Sequence, residues 1–383
     1  MDRRIRLAFL GPFAFLATAI SSTIVGPSLP FMKEDFVIDL FWLGILGGAW
    51  NLGYLFTFLG GVVSDRYGDV ATITMSFLVV FSGLALASVS KSYGTLVVFI
   101  VLTGLGAGFV ESTASSLTFR THSNKPALAM NMVHSFWCMG AAIGPGVAWF
   151  VLETFGDWRY AYSTSAFMYL PLIAYSILCL RGVKGRTEPV SIAKNTPRGR
   201  GLTLNLLLVG LAGFFTQAVE VGVNVWLPSF LMTVHHFSLR DASLTLSLFF
   251  VFMAVGRIGL SRILNIRDYG RTMTILVILL SVSILLAAAT DVEFASAGLW
   301  ALSGLFLGPL FPTLIARVNS LNPRRPGFST GALFTMALPG GILSSWIVGY
   351  VAELTSLDTA IFALAVFAPF VLTCNLARTN EGS

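Results

Sequence analysis

Charge is what this chain has least of. Only 11% of its 383 residues are Asp, Glu, Lys or Arg, where a soluble domain carries about 25%. With 55% hydrophobic residues and a mean hydropathy of +0.81, the chain has too little polar surface for a water-facing globule and reads as a polytopic helical membrane protein. Cysteine is nearly as scarce. Cys138, Cys179 and Cys374 all fall inside or at the ends of apolar runs, which excludes a disulfide framework and offers no metal site. No Lys follows a Gly, so there is no Walker loop and no built-in ATP drive, and the chain needs no cofactor. Neither a His-Glu-x-x-His nor a Gly-x-Ser-x-Gly arrangement occurs, so the common metal-dependent and serine hydrolases are excluded and the chain is expected not to be an enzyme. The net charge of +6 does not point to nucleic acid, because the basic residues sit in short breaks between apolar runs.

Those runs number twelve, each near the roughly 20 residues a spanning helix needs. The expected spans are 7–32, 41–63, 70–89, 93–119, 127–152, 160–180, 202–234, 240–260, 271–290, 294–318, 327–352 and 357–377. The first begins Met-Asp-Arg-Arg-Ile-Arg and mimics a signal peptide, but it is too long for one and is read as a span. With both termini cytoplasmic, all but four of the 24 Lys and Arg residues fall on the inside, the exceptions being Lys33, Lys91, Arg159 and Arg240. A miscounted span would scramble that split, so the charges support the count and the orientation together. Brevity and minimal loops suit a prokaryotic inner membrane.

The longest polar break, 182–201, separates residues 1–181 from 202–383 and is expected to be a cytoplasmic linker between two six-helix bundles. The halves echo each other. Leu102-x-Gly104-Leu105-x-x-Gly108 recurs as Leu302-x-Gly304-Leu305-x-x-Gly308, and Gly60-x4-Asp65-Arg66 recurs as Gly256-x4-Ser261-Arg262. Parallel repeats of this kind imply pseudo-symmetric bundles with a substrate site at the midplane between them.

Two acids lie deep within spans, Glu111 and Glu220. Glu220 is roughly 20 to 25 Å of helix rise from either end of its span, and placing a carboxylate there costs about 2.5 to 3.5 kcal/mol. Gln217 (i−3) and Asn224 (i+4) share its face and form one polar stripe. The stripe supplies the mixed donors and acceptors a polyhydroxylated solute uses; the plainer reading is hydrogen-bonding glue between helices. Glu111, well inside the fourth span, suits a group that exchanges protons between the two sides; the plainer reading is a protonated carboxyl bonded to a neighbouring helix. His134, three residues after Asn131, is a candidate proton relay or solute donor, and a simple backbone hydrogen bond explains it equally well. Trp50, Trp137 and Trp226 are candidate stacking platforms for a sugar ring, against the commoner role of packing or interfacial anchoring.

At the loop Gly60-Gly-Val-Val-Ser-Asp65-Arg66-Tyr-Gly68 and in Gly140-Ala-Ala-Ile-Gly144-Pro145-Gly146 the chain resembles the major facilitator superfamily over essentially its whole length. Within it, Gly108-Phe-Val-Glu111-Ser-Thr-Ala, Glu220 through Trp226-Leu-Pro-Ser, and Gly308-Pro-Leu-Phe-Pro312-Thr are similar to the fucose:proton symporter family and related sugar transporters. The sequence departs from that pattern in having no acid in the first span and Ser115 where an Asn is usual.

The resemblance implies a monomeric transporter with twelve transmembrane helices working by alternating access, its site lined by spans 1, 4, 7 and 10. It implies proton coupling through Glu111, and the residues themselves add His134 and Glu220 to that role and offer Gln217, Glu220, Asn224, Asn131, Trp137, Trp226 and Trp50 for solute binding. It also implies a cytoplasmic ion-pair latch of Asp65, Arg66 and Arg120, echoed by Arg257 and Arg262. The expected partners are a small polar solute, most simply a sugar, protons and the lipid bilayer. Export of amphipathic compounds or organic anions is the alternative, and a non-transporting receptor or a membrane-embedded enzyme are rival classes.

Overall fold

The computed structural model describes residues 3–121, 126–180, 200–260, 269–321 and 326–376. Among them, twelve helical segments are long and apolar enough to cross a membrane: span 1 (Phe9–Phe36), span 2 (Leu40–Tyr67), span 3 (Asp69–Ser88), span 4 (Tyr93–Thr118), span 5 (Val133–Phe155), span 6 (Trp158–Leu180), span 7 (Leu204–Thr233), span 8 (Leu239–Leu260), span 9 (Gly270–Ala289), span 10 (Glu293–Leu321), span 11 (Ser329–Leu354) and span 12 (Leu357–Leu376). The expected count holds, and the bounds agree to within a few residues. Most of the proposed linker lies outside the described residues.

Local chemistry explains where the helices begin and end. Asp157, Ser238 and Ser356 cap spans 6, 8 and 12 by accepting from the backbone N–H groups of Arg159 (2.9 Å), Asp241 (3.0 Å) and Thr359 (3.1 Å). Spans 1 and 7 both close with a left-handed residue followed by a backbone bond back across the last turn. In span 1, Val37 has φ 50° and Ile38 N–H donates to Lys33 at 3.2 Å; in span 7, His236 has φ 57° and Phe237 N–H donates to Leu231 at 2.9 Å. The hydroxyls inside span 1 are satisfied within their own helix: Thr18 donates to the Ala14 carbonyl and Ser21 to that of Ala17. That is how an apolar helix carries polar groups without exposing them to hydrocarbon.

The chain divides into two compact units, Met1–Ile38 with Ala49–Ile192, and Asp39–Gly48 with Ala193–Ser383. In the first, span 1 packs on span 5, span 3 on span 4, and the second half of span 2 on span 4. In the second, span 7 packs on span 11, span 9 on span 10, and span 8 on span 10, so the same pairing pattern occurs twice. The glycine repeat has a physical cause. A Cβ on Gly104 would drive into the Trp50 carbonyl, and one on Gly304 into the Phe249 carbonyl, so both positions bring helix backbones into contact that no larger residue permits.

The first residues of span 2 group with the second unit. Leu40 N–H donates to Glu353 at 3.0 Å and Ser345 Oγ to the Gly44 carbonyl at 2.8 Å. A Cβ on Gly349 would lie 2.6 Å from the Leu40 carbonyl oxygen, so this contact too depends on small residues.

Candidate functional site

In the second unit Gln217, Glu220 and Asn224 lie one turn apart along span 7, and Glu220 has a charged neighbour. Glu220 is only 8% exposed, and its Oε2 lies 3.7 Å from Nη2 of Arg257, whose side chain is 19% exposed. Two opposite charges withdrawn from water offset each other's desolvation, which explains how an acid is tolerated in the middle of span 7. Arg257 stands where span 8 passes from α-helix into a π turn over Gly256–Leu260. Gly256 there packs on the Leu305 carbonyl and Gly308 on that of Met253, so spans 8 and 10 are pressed together beside the arginine. Gln217, one turn before Glu220, presents a buried carboxamide oxygen that accepts no hydrogen bond, and Asn224, one turn after, is half-buried.

Arg257, expected with Arg262 to echo a cytoplasmic latch, is therefore placed against Glu220 instead. The reason is reach: its side chain extends from the inner part of span 8 back toward the acid. Arg262 lies outside the described residues. Trp226, expected as a platform for a ring, is fully buried, its Nε1–H donates to the Ser345 carbonyl at 3.1 Å, and its ring rests against the site of Gly349. Two tightly packed faces leave it no surface for a solute, so the structure gives it the packing role.

In the first unit Glu111 and Trp137 are half-buried, as is Trp50, whose carbonyl oxygen receives Gly104 of span 4. The His134 ring meets Phe15 of span 1 edge to face at 5.1 Å. Asn131 and Arg120 lie on described helices, but their side chains are outside what is described. Asp65 and Arg66 are exposed at the end of span 2, where the Arg66 guanidinium stands 5.4 Å from the centre of the Tyr67 ring.

Two arrangements escaped sequence reasoning. Asp69 is 4% exposed at the start of span 3 and accepts from the hydroxyl of Ser64 across Gly68, whose φ is 89°. An acid straight after Gly and straight before an apolar run was the available signal. Arg159, one of the four basic residues on the expected outside, pairs with Asp35 at 2.8 Å, donates to the Ser90 carbonyl at 3.0 Å and covers the Trp158 ring at 4.5 Å. Trp158 Nε1–H completes the network by donating to Asp35 at 3.2 Å. Among the described residues no group of three or more His, Cys, Asp or Glu side chains is placed to share a metal ion.

Twelve apolar helices among the described residues, in a doubled packing pattern and with a buried charge pair joining two of them, define a multi-pass integral membrane protein with the fold of a solute transporter. The sequence model of the Major Facilitator Superfamily matches residues 13–345, and the chain belongs to that family. It is 24% identical to a hexuronate transporter of Bacillus subtilis, over 92% of this chain and 90% of that protein. It is also 24% identical to a multi-drug resistance efflux pump of Streptococcus pneumoniae, over 98% of this chain and 95% of that protein. The crystal structure of a D-xylose-proton symporter superposes with a TM-score of 0.77 at 13% identity, covering 100% of both chains, a likeness of fold.

Proposed function

We propose that the chain is a secondary active transporter that moves a small polar organic solute, in first place a sugar or sugar derivative, by proton-coupled alternating access. The observation that carries this reading is the stripe Gln217, Glu220 and Asn224 inside span 7, where hydrocarbon tolerates such groups only if they are partnered or face a wet passage. The likeness of Glu111, Glu220 to Trp226 and Gly308 to Pro312 to the fucose symporter family supports sugar and proton as the transported pair. The name of the Bacillus subtilis relative supports a sugar-derived solute. Glu111 and Glu220, with His134, are the proposed proton-coupling groups; Gln217, Asn224, Asn131 and Trp137, with Trp50, the proposed solute contacts; and Asp65 with Arg66 and Arg120 the proposed inner latch. The protein would work as a monomer in a prokaryotic inner membrane, its two six-helix halves rocking and both termini cytoplasmic.

Purified protein in liposomes tests the reading. Uptake of a sugar or sugar derivative against its gradient, driven by protons and abolished in Glu220→Ala, is the expected result; flux of every solute unchanged by that variant overturns it. The efflux-pump relative favours a second reading, export of amphipathic compounds. Sugars and aromatic cations competing for binding separate the two, because only the occupant's own class displaces it.

A further inference from the structure

The turn that closes span 7 holds a histidine for which the proposed transport chemistry has no use. The His235 side chain is 5% exposed. Its ring meets Phe230 edge to face at 4.8 Å and Phe237 at 6.4 Å, and Phe230 in turn meets Trp300, itself fully buried, at 6.3 Å. Nδ1 lies 3.7 Å from Oδ1 of Asp291, in the loop between spans 9 and 10, and that carboxylate is fully exposed. Nε2 is buried and meets no hydrogen-bond partner among the described residues. One edge of the ring therefore looks toward an acid and water, while the other is shut away from both. The backbone here is tightly wound: Val234 N–H donates to Phe230 and Phe237 N–H to Leu231, each at 2.9 Å, and His236 between them takes φ 57°, a left-handed conformation that an L-residue adopts only at a cost.

We propose that His235 is a proton-operated switch on the side of the membrane expected to face out. Neutral, its ring plugs the aromatic nest and holds the end of span 7; protonated, it swings out to Asp291 and water and releases the turn. Histidine changes charge between about pH 5 and 8, and the change alters what the ring can satisfy. The neutral ring has one N–H, which can face Asp291 from Nδ1 and leave Nε2 bare against its apolar surroundings. Imidazolium carries an N–H on both nitrogens. The second has no acceptor inside the nest, and taking a charge out of water costs far more than taking out a neutral nitrogen. Outside the nest, Asp291 and solvent satisfy both.

The groups around the turn leave Asp291 as the counterpart. Among the described residues it is the charged group within ion-pair distance of His235. His236, on the same turn, is exposed. Of the elements packed on span 7 or on Phe230, span 8 carries Arg240 and Asp241 in its first turn, with Asp241 accepting from the Ser238 hydroxyl at 2.5 Å. Span 10 carries Glu293 in its first turn, span 11 Tyr350 and Glu353 in its last turns, and span 12 Asp358 in its first. Span 7 is also the helix of Gln217, Glu220 and Asn224, so, resting on the transport reading above, acid that frees its end speeds the exchange of solute.

Hydrogen–deuterium exchange of the purified protein in nanodiscs, resolved at the Phe237 amide and corrected for the intrinsic effect of pH, reads the turn directly. Protection is expected to fall about tenfold between about pH 7.5 and about pH 5.5. His235→Phe fills the nest with a ring that does not titrate and is expected to stay protected throughout, its folding checked by thermal unfolding. Asp291→Asn is expected to need a more acid solution for the same loss; the residue is fully exposed, so this variant folds whatever becomes of His235→Phe. Protection that ignores pH in the unaltered protein, falls equally in His235→Phe, or responds identically in Asp291→Asn overturns the inference. Solute exchange between equal pools, at one pH on both faces, is expected to quicken about threefold over the same acid range and to lose that gain in His235→Phe, with Glu111 intact in both. A gain that persists in His235→Phe overturns the inference and leaves the transport reading standing. Exchange of no solute overturns the transport reading, and the amide measurement then decides the switch by itself.

Discussion

Glu220 and Glu111 are the same side chain in two settings, and that difference fixes what their replacement should do. Glu220 is balanced by Arg257, so removing the acid alone takes the opposite charge away from a buried guanidinium. Breaking such a pair costs about 3 to 5 kcal/mol, whereas replacing both partners by apolar groups is close to neutral. Glu220→Ala is therefore expected to lower the thermal midpoint in detergent sharply, and Glu220→Ala with Arg257→Leu to recover most of the loss while remaining inactive in uptake. Equal destabilisation by the single and double variants would mean that the two charges are not coupled. Glu111 is half-buried and is proposed to carry the proton. Glu111→Gln is expected to keep solute exchange between equal pools and to lose uphill accumulation, because coupling is a differential affinity between protonation states. Persisting accumulation would remove Glu111 from the mechanism.

At the scale of single elements, the sequence showed the spans and much of their punctuation, but not the faces they turn to one another. The twelve apolar stretches were legible because hydrocarbon demands about 20 residues of low polarity, a constraint each segment meets without help from its neighbours. The glycine repeat was legible as a packing face, and its partners were not. That Gly104 meets Trp50 and Gly304 meets Phe249 depends on how separate helices cross. Gly104→Leu and Gly304→Leu are each expected to abolish folded protein on size-exclusion chromatography. Gly94→Ala, where an added methyl meets nothing within 4 Å, should leave the elution profile unchanged.

The left-handed end of span 1 gives an opposite expectation. Val37 is exposed and β-branched at φ 50°, a conformation that costs an L-residue roughly 1 to 2 kcal/mol. After the entropy cost of glycine, Val37→Gly is expected to stabilise the protein by about 0.5 to 1 kcal/mol. A fall in the thermal midpoint would show that the turn is not strained.

For the whole molecule, orientation is the expectation with the plainest test. Single cysteines at Lys91 and Arg186, in a background with Cys138, Cys179 and Cys374 replaced, should react with a membrane-impermeant thiol reagent from opposite sides of intact cells. Lys91 should be accessible from outside and Arg186 only after lysis. The reverse pattern would invert the topology that the basic residues imply.

Composition and charge placement determined by themselves that this is a membrane protein of twelve helices, because solvation by lipid acts on each segment separately and is written in local sequence, and the repeated glycine motifs carried its doubled plan. Tertiary structure decided which polar groups meet. Arg257 looked like a loop charge until span 8 was packed beside span 7, and Trp226 looked available until Ser345 and Gly349 closed over it. Such partnerships join residues tens to more than a hundred positions apart in the chain. They follow from helix crossings and side-chain reach, quantities that no single span encodes.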